Sequence, residues 1–293
     1  MKSKSKSEVG RLRVALLAVT LGALVWGFRL LLFEHVPMVF SDGLEDMSYA
    51  WYIPVFSLYV VWTERAKIRE AAGEPSALGA VLTLPFLLLG FLGTRGIQVR
   101  FEILGLVGLL LTIPWAFYGR RLAVRILFPV AYLLFCIPLS TFLDVFTVHL
   151  RILASSTAFE VLRGFGADIV RRGTMIAATD GSFSIDVADP CSGLRSIFAL
   201  SALTVAYAYF SQKTWTKRVI LAASAVPLAV LGNVMRILTI CLVANYASPD
   251  FATGFYHDYS GYVVFIVAIA LMLAVGEGLS RVGCGKKEGE VRS

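Results

Sequence analysis

Charge is scarce in this chain. Of its 293 residues only 16% are Asp, Glu, Lys or Arg, against about 25% in an average soluble protein. So few charges cannot cover the surface of a water-soluble domain of this size. Disorder is excluded as well, because 57% of the residues are hydrophobic and the mean hydropathy is +0.75. Cysteine and histidine are sparse too. The four cysteines, Cys136, Cys191, Cys241 and Cys284, form no CxxC pair and no zinc spacing. Three scattered histidines, His35, His149 and His257, make no metal cluster. Neither a metal nor a cofactor is expected. No HExxH and no GxSxG motif occurs, which disfavours a metalloprotease and a serine-type intramembrane protease. The net charge of +7 comes without a basic, aromatic-interleaved stripe, so nucleic acid is set aside.

What is present is long apolar runs. A spanning helix needs roughly 20 apolar residues. Eight segments qualify or nearly so: 12–33, 47–63, 78–93, 101–118, 122–143, 192–210, 219–245 and 259–280. The expected fold is therefore an all-α polytopic membrane protein with about eight transmembrane helices, a single integral domain. The first segment has a Lys-rich front like a signal peptide. Its apolar stretch is too long, and no small-residue cleavage site follows, so it reads as a retained span. With the N-terminus inside, the inner segments hold 18 of the 27 Lys and Arg and the outer segments hold 6. Basic residues collect on the cytoplasmic side, so both termini are expected there.

One expected outer segment, 144–190, is long. Val145, Val148, Ile152, Phe159 and Leu162 recur at helical spacing among charged residues, which predicts an amphipathic helix lying at the interface. β-branched residues then flank Thr179-Asp180-Gly181-Ser182, a hairpin signal between 169–178 and 183–187. Together these predict a small external cap. The first outer loop carries Glu34, Asp42, Glu45 and Asp46 and reads as a solvated acidic loop.

Three residues stand where polarity is costly. In Asp189-Pro190-Cys191-Ser192-Gly193, Asp189 suits an N-cap and Pro190 the first helical position. That puts Cys191 in a first helical turn, where backbone N–H groups favour the thiolate. Arg195 follows one turn later and adds positive potential. Arg236 lies in the outer half of the seventh segment, with Asn233 three residues earlier on the same face. An intramembrane arginine costs at least about 2.5 kcal/mol on insertion scales and usually faces the bundle interior. His257, at the outer start of the eighth segment, is the third. The topology brings all three to the same side at similar depth. Cys, His and Arg together suit acyl transfer, with Cys191 as nucleophile, His257 as general base and acid, and Arg236 stabilising the thiolate or oxyanion. Each residue alone also has a plain structural role open to it: packing for Cys191, snorkelling for Arg236, an interfacial belt for His257. His149 is a weaker candidate base. Cys136 and Cys241 read as packing residues, and lipidation of Cys284 is a weak signal.

Pro190-Cys191-Ser192-Gly193-Leu194-Arg195-Ser196, then Asn233-Val234-Met235-Arg236, then His257 with Gly261 four residues on, resemble the exosortase/archaeosortase family. The resemblance is strongest over about 144–275 and covers the first 100 residues only in hydropathy. It implies a polytopic membrane transpeptidase in a bacterial inner membrane, its site on the outer side. It implies substrates that are membrane-anchored exported proteins ending in a C-terminal sorting signal: a short motif (PEP-CTERM-like), a transmembrane helix and a basic tail. Cleavage through a thioester is implied, with the family's nucleophile, arginine and histidine falling on Cys191, Arg236 and His257, and Arg195 and Asn233 ranking second. His257 resembles the bacterial form, and the short tail a version without an added soluble domain. The competing class is a transporter or channel for an anionic solute, with Arg195 and Arg236 lining the path.

Overall fold

The structure is a computed structural model that describes residues 2–41, 47–186 and 194–282. The chain divides into two compact units, 1–139 and 140–293. Where described, the expected apolar segments are mostly helical. Four helices are long and apolar enough to cross a membrane alone: 77–96, 99–118, 215–246 and 259–281. A bent pair, 12–27 with 31–41, makes a fifth if counted as one span. The other expected spans are shorter, for reasons visible in each unit.

In the first unit, α1 (Lys2–Gly27) leads through a π-helical turn, Leu31–His35, into α2 (Val36–Ser41), with a bend of 55°. The backbone widens there: Val36 donates to the Leu31 carbonyl, five residues back. Pro37 follows at once and has no N–H to restore the regular ladder. The expected span 47–63 becomes a 3-10 turn, Ser48–Trp51, and α3 (Tyr52–Thr63). Twelve residues of α-helix span about 18 Å, short of a hydrocarbon core of about 30 Å. The short α4 (Arg65–Glu70) follows. The expected span 122–143 is likewise divided into α7 (Arg120–Tyr132) and a 3-10 turn, Leu133–Cys136, before Pro138. Ser57 of α3 donates to the carbonyl of Pro129 inside α7 at 2.7 Å, a buried polar tie between the two short helices.

Between them lies a helical hairpin, α5 (Ala77–Gly96) and α6 (Val99–Tyr118). Ser76 caps α5 by accepting from Gly79 N. The turn is tight, and Ile97 takes a left-handed φ of 51° at the end of α5. Glycine sets the closeness of the pair. A Cβ on Gly105 would stand 2.6 Å from the Gly90 backbone, and one on Gly93 would stand 2.6 Å from Glu102 N. Only glycine permits that approach, the usual route to close helix contacts where lipid removes any hydrophobic drive. The hairpin also buries Glu102 completely, with His35 Nδ1 2.9 Å from its Oε2.

The second unit starts with α8 (Ser140–Gly164), which the sequence predicted as amphipathic. Its buried face keeps Leu162 and Phe159 of the expected stripe and departs from it at two positions. Ala154, Ala158 and Leu162 are buried, whereas Val148 and Ile152 are exposed. The small alanines let α8 lie close on its neighbours, a preference that hydrophobicity alone does not reveal. Three antiparallel strands follow in the order β1 (Ile169–Arg172), β2 (Met175–Ala178), β3 (Ser184–Asp186). The expected first strand, 169–178, is thus folded on itself at Gly173, which has φ +65°. The β2–β3 turn uses Asp180, whose Oδ1 accepts from Ser182 N at 2.9 Å, and Gly181 at φ +76°.

The rest of this unit is helical: α9 (Leu194–Ser211), α10 (Trp215–Tyr246), the single turn α11 (Pro249–Phe251), a π-helical turn Ala252–Tyr256, and α12 (His257–Arg281). α10 serves two apolar clusters. Its early residues Leu221, Ala225 and Ala229 pack with Leu200 and Ala208 of α9 and Ala268 and Met272 of α12. Its later residues Val234, Ile237, Leu238 and Cys241 pack with α8 and the strands. At the α9–α10 turn, Arg218 donates to the carbonyls of Gln212 and Tyr209, and Lys217 to that of Val282 just past α12. Cations there satisfy carbonyls left open at helix C-termini.

Candidate active site

Arg236 sits where the two clusters of the second unit meet. Residues 229, 232, 233 and 236 share one face of α10 by helical spacing, and that face is turned toward α9 and α12. Arg236 Nε donates to Ser260 Oγ of α12 at 3.2 Å. Ser260 is almost fully buried. One residue on, Gly261 leaves room for the guanidinium: a Cβ there would lie 3.4 Å from Arg236 Cζ. A small cleft, with room for about one water, opens beside the guanidinium. Ser196 and Leu200 from α9, Ala229, Gly232, Asn233 and Arg236 from α10, and Gly261, Val264, Phe265 and Ala268 from α12 line it.

Its two ends differ in chemistry. Ser196, Asn233 and Arg236 place polar groups at one end. The other end is formed by Leu200, Ala229, Val264, Phe265 and Ala268, which have no side-chain donor or acceptor. The polar end lies near the first turns of α9 and α12 as described. Gln212 Nε2, buried, donates to the Gly276 carbonyl at 3.0 Å and ties α9 to α12 at their far ends. Tyr207 packs so closely on Gly276 that a Cβ there would come within 2.4 Å of its ring.

Of the residues singled out from sequence, Arg236 and Asn233 line this cavity together. Cys191, and Asp189 and Pro190 with it, lie outside the described residues. Arg195 belongs to α9, one position before Ser196 of the lining; its side chain lies outside the described residues, as does that of His257. By backbone position, His257 opens α12. It stands three residues before Ser260 and four before Gly261, one helical turn from the partners of Arg236. Among the described residues no group of three or more His, Cys, Asp or Glu is placed to hold a metal ion.

Ser196 and Ser260 were not singled out as site residues, although Ser196 directly follows Arg195 and Ser260 stands about one helical turn after His257. The paired His35 and Glu102 of the first unit were missed entirely. Their separation of 67 residues leaves no local pattern to read. The break that precedes α12 was also not anticipated. Gly254 has φ −95° and ψ −108° inside the π-helical turn, and this bend sets where α12 begins.

The chain matches the family model described as transmembrane exosortase over residues 42–274. No curated protein and no solved structure matches it. The matched range holds α3 through most of α12, and with them Arg236, its serine partner and the cavity. The chain belongs to the transmembrane exosortase family, and is thereby a membrane-embedded protein-processing enzyme.

Proposed function

We propose that this enzyme is a cysteine transpeptidase or peptidase that cleaves the C-terminal sorting signal of exported, membrane-anchored proteins. Cys191 is the nucleophile, Arg236 the electrostatic group and His257 the proton carrier. The observation that carries the proposal is the cavity beside Arg236. It is lined by the three helices that, in sequence, follow Cys191, bear Arg236 and begin at His257. An arginine beside open space and held by a serine is arranged to meet a developing negative charge, not merely to fill a core.

The chemistry follows from those roles. The Cys191 thiol gives its proton to His257 as sulfur attacks the scissile carbonyl carbon. The carbonyl oxygen takes up negative charge, and the Arg236 guanidinium donates to it. Collapse breaks the C–N bond, and His257 returns the proton to the leaving amine. The thioester left on Cys191 is then attacked by an acceptor amine or by water, His257 taking the attacker's proton and returning it to the thiolate. In this reading the chain crosses the inner membrane eight times, with both termini cytoplasmic and the site facing outward. The 18-to-6 division of basic residues supports that orientation. The strands and α8 are then an external cap.

The decisive test is co-expression of Cys191→Ala with a substrate that carries a C-terminal signal. The size shift of the substrate should be lost, and mass spectrometry of the active enzyme should find substrate acylated on Cys191. Normal processing by the variant rejects the mechanism.

A further inference from the structure

We propose that Ser260 of α12 is a positioning residue for the reaction. With the bare backbone of Gly261, it fixes the direction and the plane in which Arg236 presents its guanidinium. This rests on the peptidase reading above, in which that guanidinium meets the developing negative charge.

An arginine is a long side chain with much rotamer freedom. A donor lowers a barrier only when it already points to where charge will develop. The guanidinium of Arg236 therefore has to be aimed before substrate arrives.

Two contacts from consecutive residues of α12 aim it. The first is to its edge. Nε donates to Ser260 Oγ at 3.2 Å, within hydrogen-bond range. Ser260 is 2% exposed, so water does not compete for that oxygen. The second contact is to its face. An ideal Cβ on Gly261 would lie 3.4 Å from Arg236 Cζ and 3.6 Å from both Nη1 and Nη2. A point in the plane of a guanidinium is always nearer to one of its nitrogens than to the central carbon. Here the carbon is nearest and the two nitrogens are equidistant, so the point stands above the plane, over Cζ. The group lies flat against Gly261. The bond at Nε sets where the fork points, and the flat contact sets the plane in which it lies.

These contacts differ from those of comparable residues in the chain. Thr204 in α9 and Thr112 in α6 give their hydroxyls to carbonyls four residues back in their own helices. The Ser260 oxygen receives a donor from another helix. Gly93 and Gly105 let backbone approach backbone, whereas the three atoms nearest the Cβ position of Gly261 all belong to one guanidinium. The same helix opens at His257, about one turn before Ser260. One stretch of α12 thus carries the proposed proton carrier and the holder of the proposed electrostatic group.

The test uses the full-length enzyme in membranes and a reporter substrate with a C-terminal signal, read as kcat and KM per folded molecule. Ser260→Ala deletes the acceptor and little else. It should lower kcat about tenfold, within the cost of misplacing a catalytic group. KM should stay within about twofold, because the lost contact counts only as charge develops. Membrane abundance and thermal midpoint should stay near those of the parent. Thr204→Val removes a buried hydroxyl that bonds its own helix and should leave kcat unchanged.

The deciding measurement is a double-variant cycle. Once the guanidinium is gone, a residue that acts through it has nothing to position. Adding Ser260→Ala to Arg236→Ala should therefore change the remaining rate less than about twofold. Gly261→Val should lower kcat in the parent and fade in the Arg236→Ala background in the same way, since its side chain meets the guanidinium first. A full loss from Ser260→Ala in both backgrounds assigns that residue an independent role and overturns the proposal. So does a parent value of kcat in Ser260→Ala, or a loss confined to abundance and thermal midpoint. Parent-rate cleavage by Cys191→Ala rejects the cysteine mechanism, while the cycle still reports whether Ser260 acts through Arg236. Parent-rate cleavage by Arg236→Ala rejects both readings. Loss of cleavage in Cys191→Ala and Arg236→Ala, with none in Ser260→Ala, rejects the positioning alone.

Discussion

Each unit of this protein sets an ionisable side chain within a long apolar helix, Glu102 in the first and Arg236 in the second, and the two are treated in opposite ways. Glu102 in α6 is fully enclosed, with His35 at 2.9 Å and the backbone of Gly93 packed over its own amide. Arg236 in α10 has a serine partner and a cavity beside it. A charge sealed against a partner contributes to structure, because removing the partner leaves a buried ion with nothing to offset its desolvation. A charge facing open space keeps part of its field for something that arrives later. Burial already separates the two cases, Glu102 being fully buried and Arg236 only half-buried beside its cleft.

The sharpest way to break this comparison is Arg236→Ala. Processing per folded molecule should fall about 10²–10³-fold, the usual loss for one oxyanion donor, with the membrane abundance of the protein little changed. Arg236→Lys should recover only part, since an ammonium cannot reproduce the planar fork. Glu102→Ala should do the reverse. Breaking a buried pair costs about 3–5 kcal/mol, read as a lower thermal midpoint in detergent, while the molecules that remain folded process substrate at near the parent rate. A large loss of turnover in Glu102→Ala without loss of stability would erase the distinction.

Glycines give a finer comparison. Gly105→Ala forces a Cβ to within 2.6 Å of backbone that cannot yield, and should cost about 1–3 kcal/mol of stability. Gly261→Ala meets only the guanidinium, at 3.4 Å. Its effect should be a few-fold loss of processing and almost none of stability. The smallest effect concerns the β2–β3 turn. The Ser182 backbone N–H holds the Asp180 carboxyl below its ordinary range. A lowered folded value means that its stabilisation is present above the ordinary value of about 4 and is lost as pH falls through the lowered one. Asp180→Ala should therefore differ slightly from the parent in thermal midpoint at pH 7, and the difference should vanish in acid.

The helices were legible in the sequence because apolar length is a local property. Most of the expected apolar residues proved helical, and the boundaries of 78–93 and 101–118 fell within a few residues of α5 and α6. What hydropathy could not reveal was how a run is divided. The π-helical turn before Pro37 and the 3-10 turn at Leu133–Cys136 cost no apolar residue, so they leave no mark in a window average. At the site, Arg236 and Asn233 were legible because a polar residue within an apolar run is conspicuous. The serine partner of Arg236 was not, since a hydroxyl inside a helix usually bonds its own backbone, as Thr204 does to the Leu200 carbonyl. The empty space was invisible to sequence. It is a property of three helices together, and the lining residues of each show no pattern of their own.

The length of α10 has one more consequence. Its 32 residues extend about 48 Å, well beyond the roughly 30 Å of hydrocarbon in a bilayer. The helix must lean or stand proud at its ends. Arg236 lies ten residues from the last of them, about 15 Å along the axis. Lean is governed by the thickness of the surrounding lipid. The depth of the guanidinium beneath the headgroups therefore varies with acyl-chain length, and under the proposed function bilayer thickness sets how far a substrate must be drawn in.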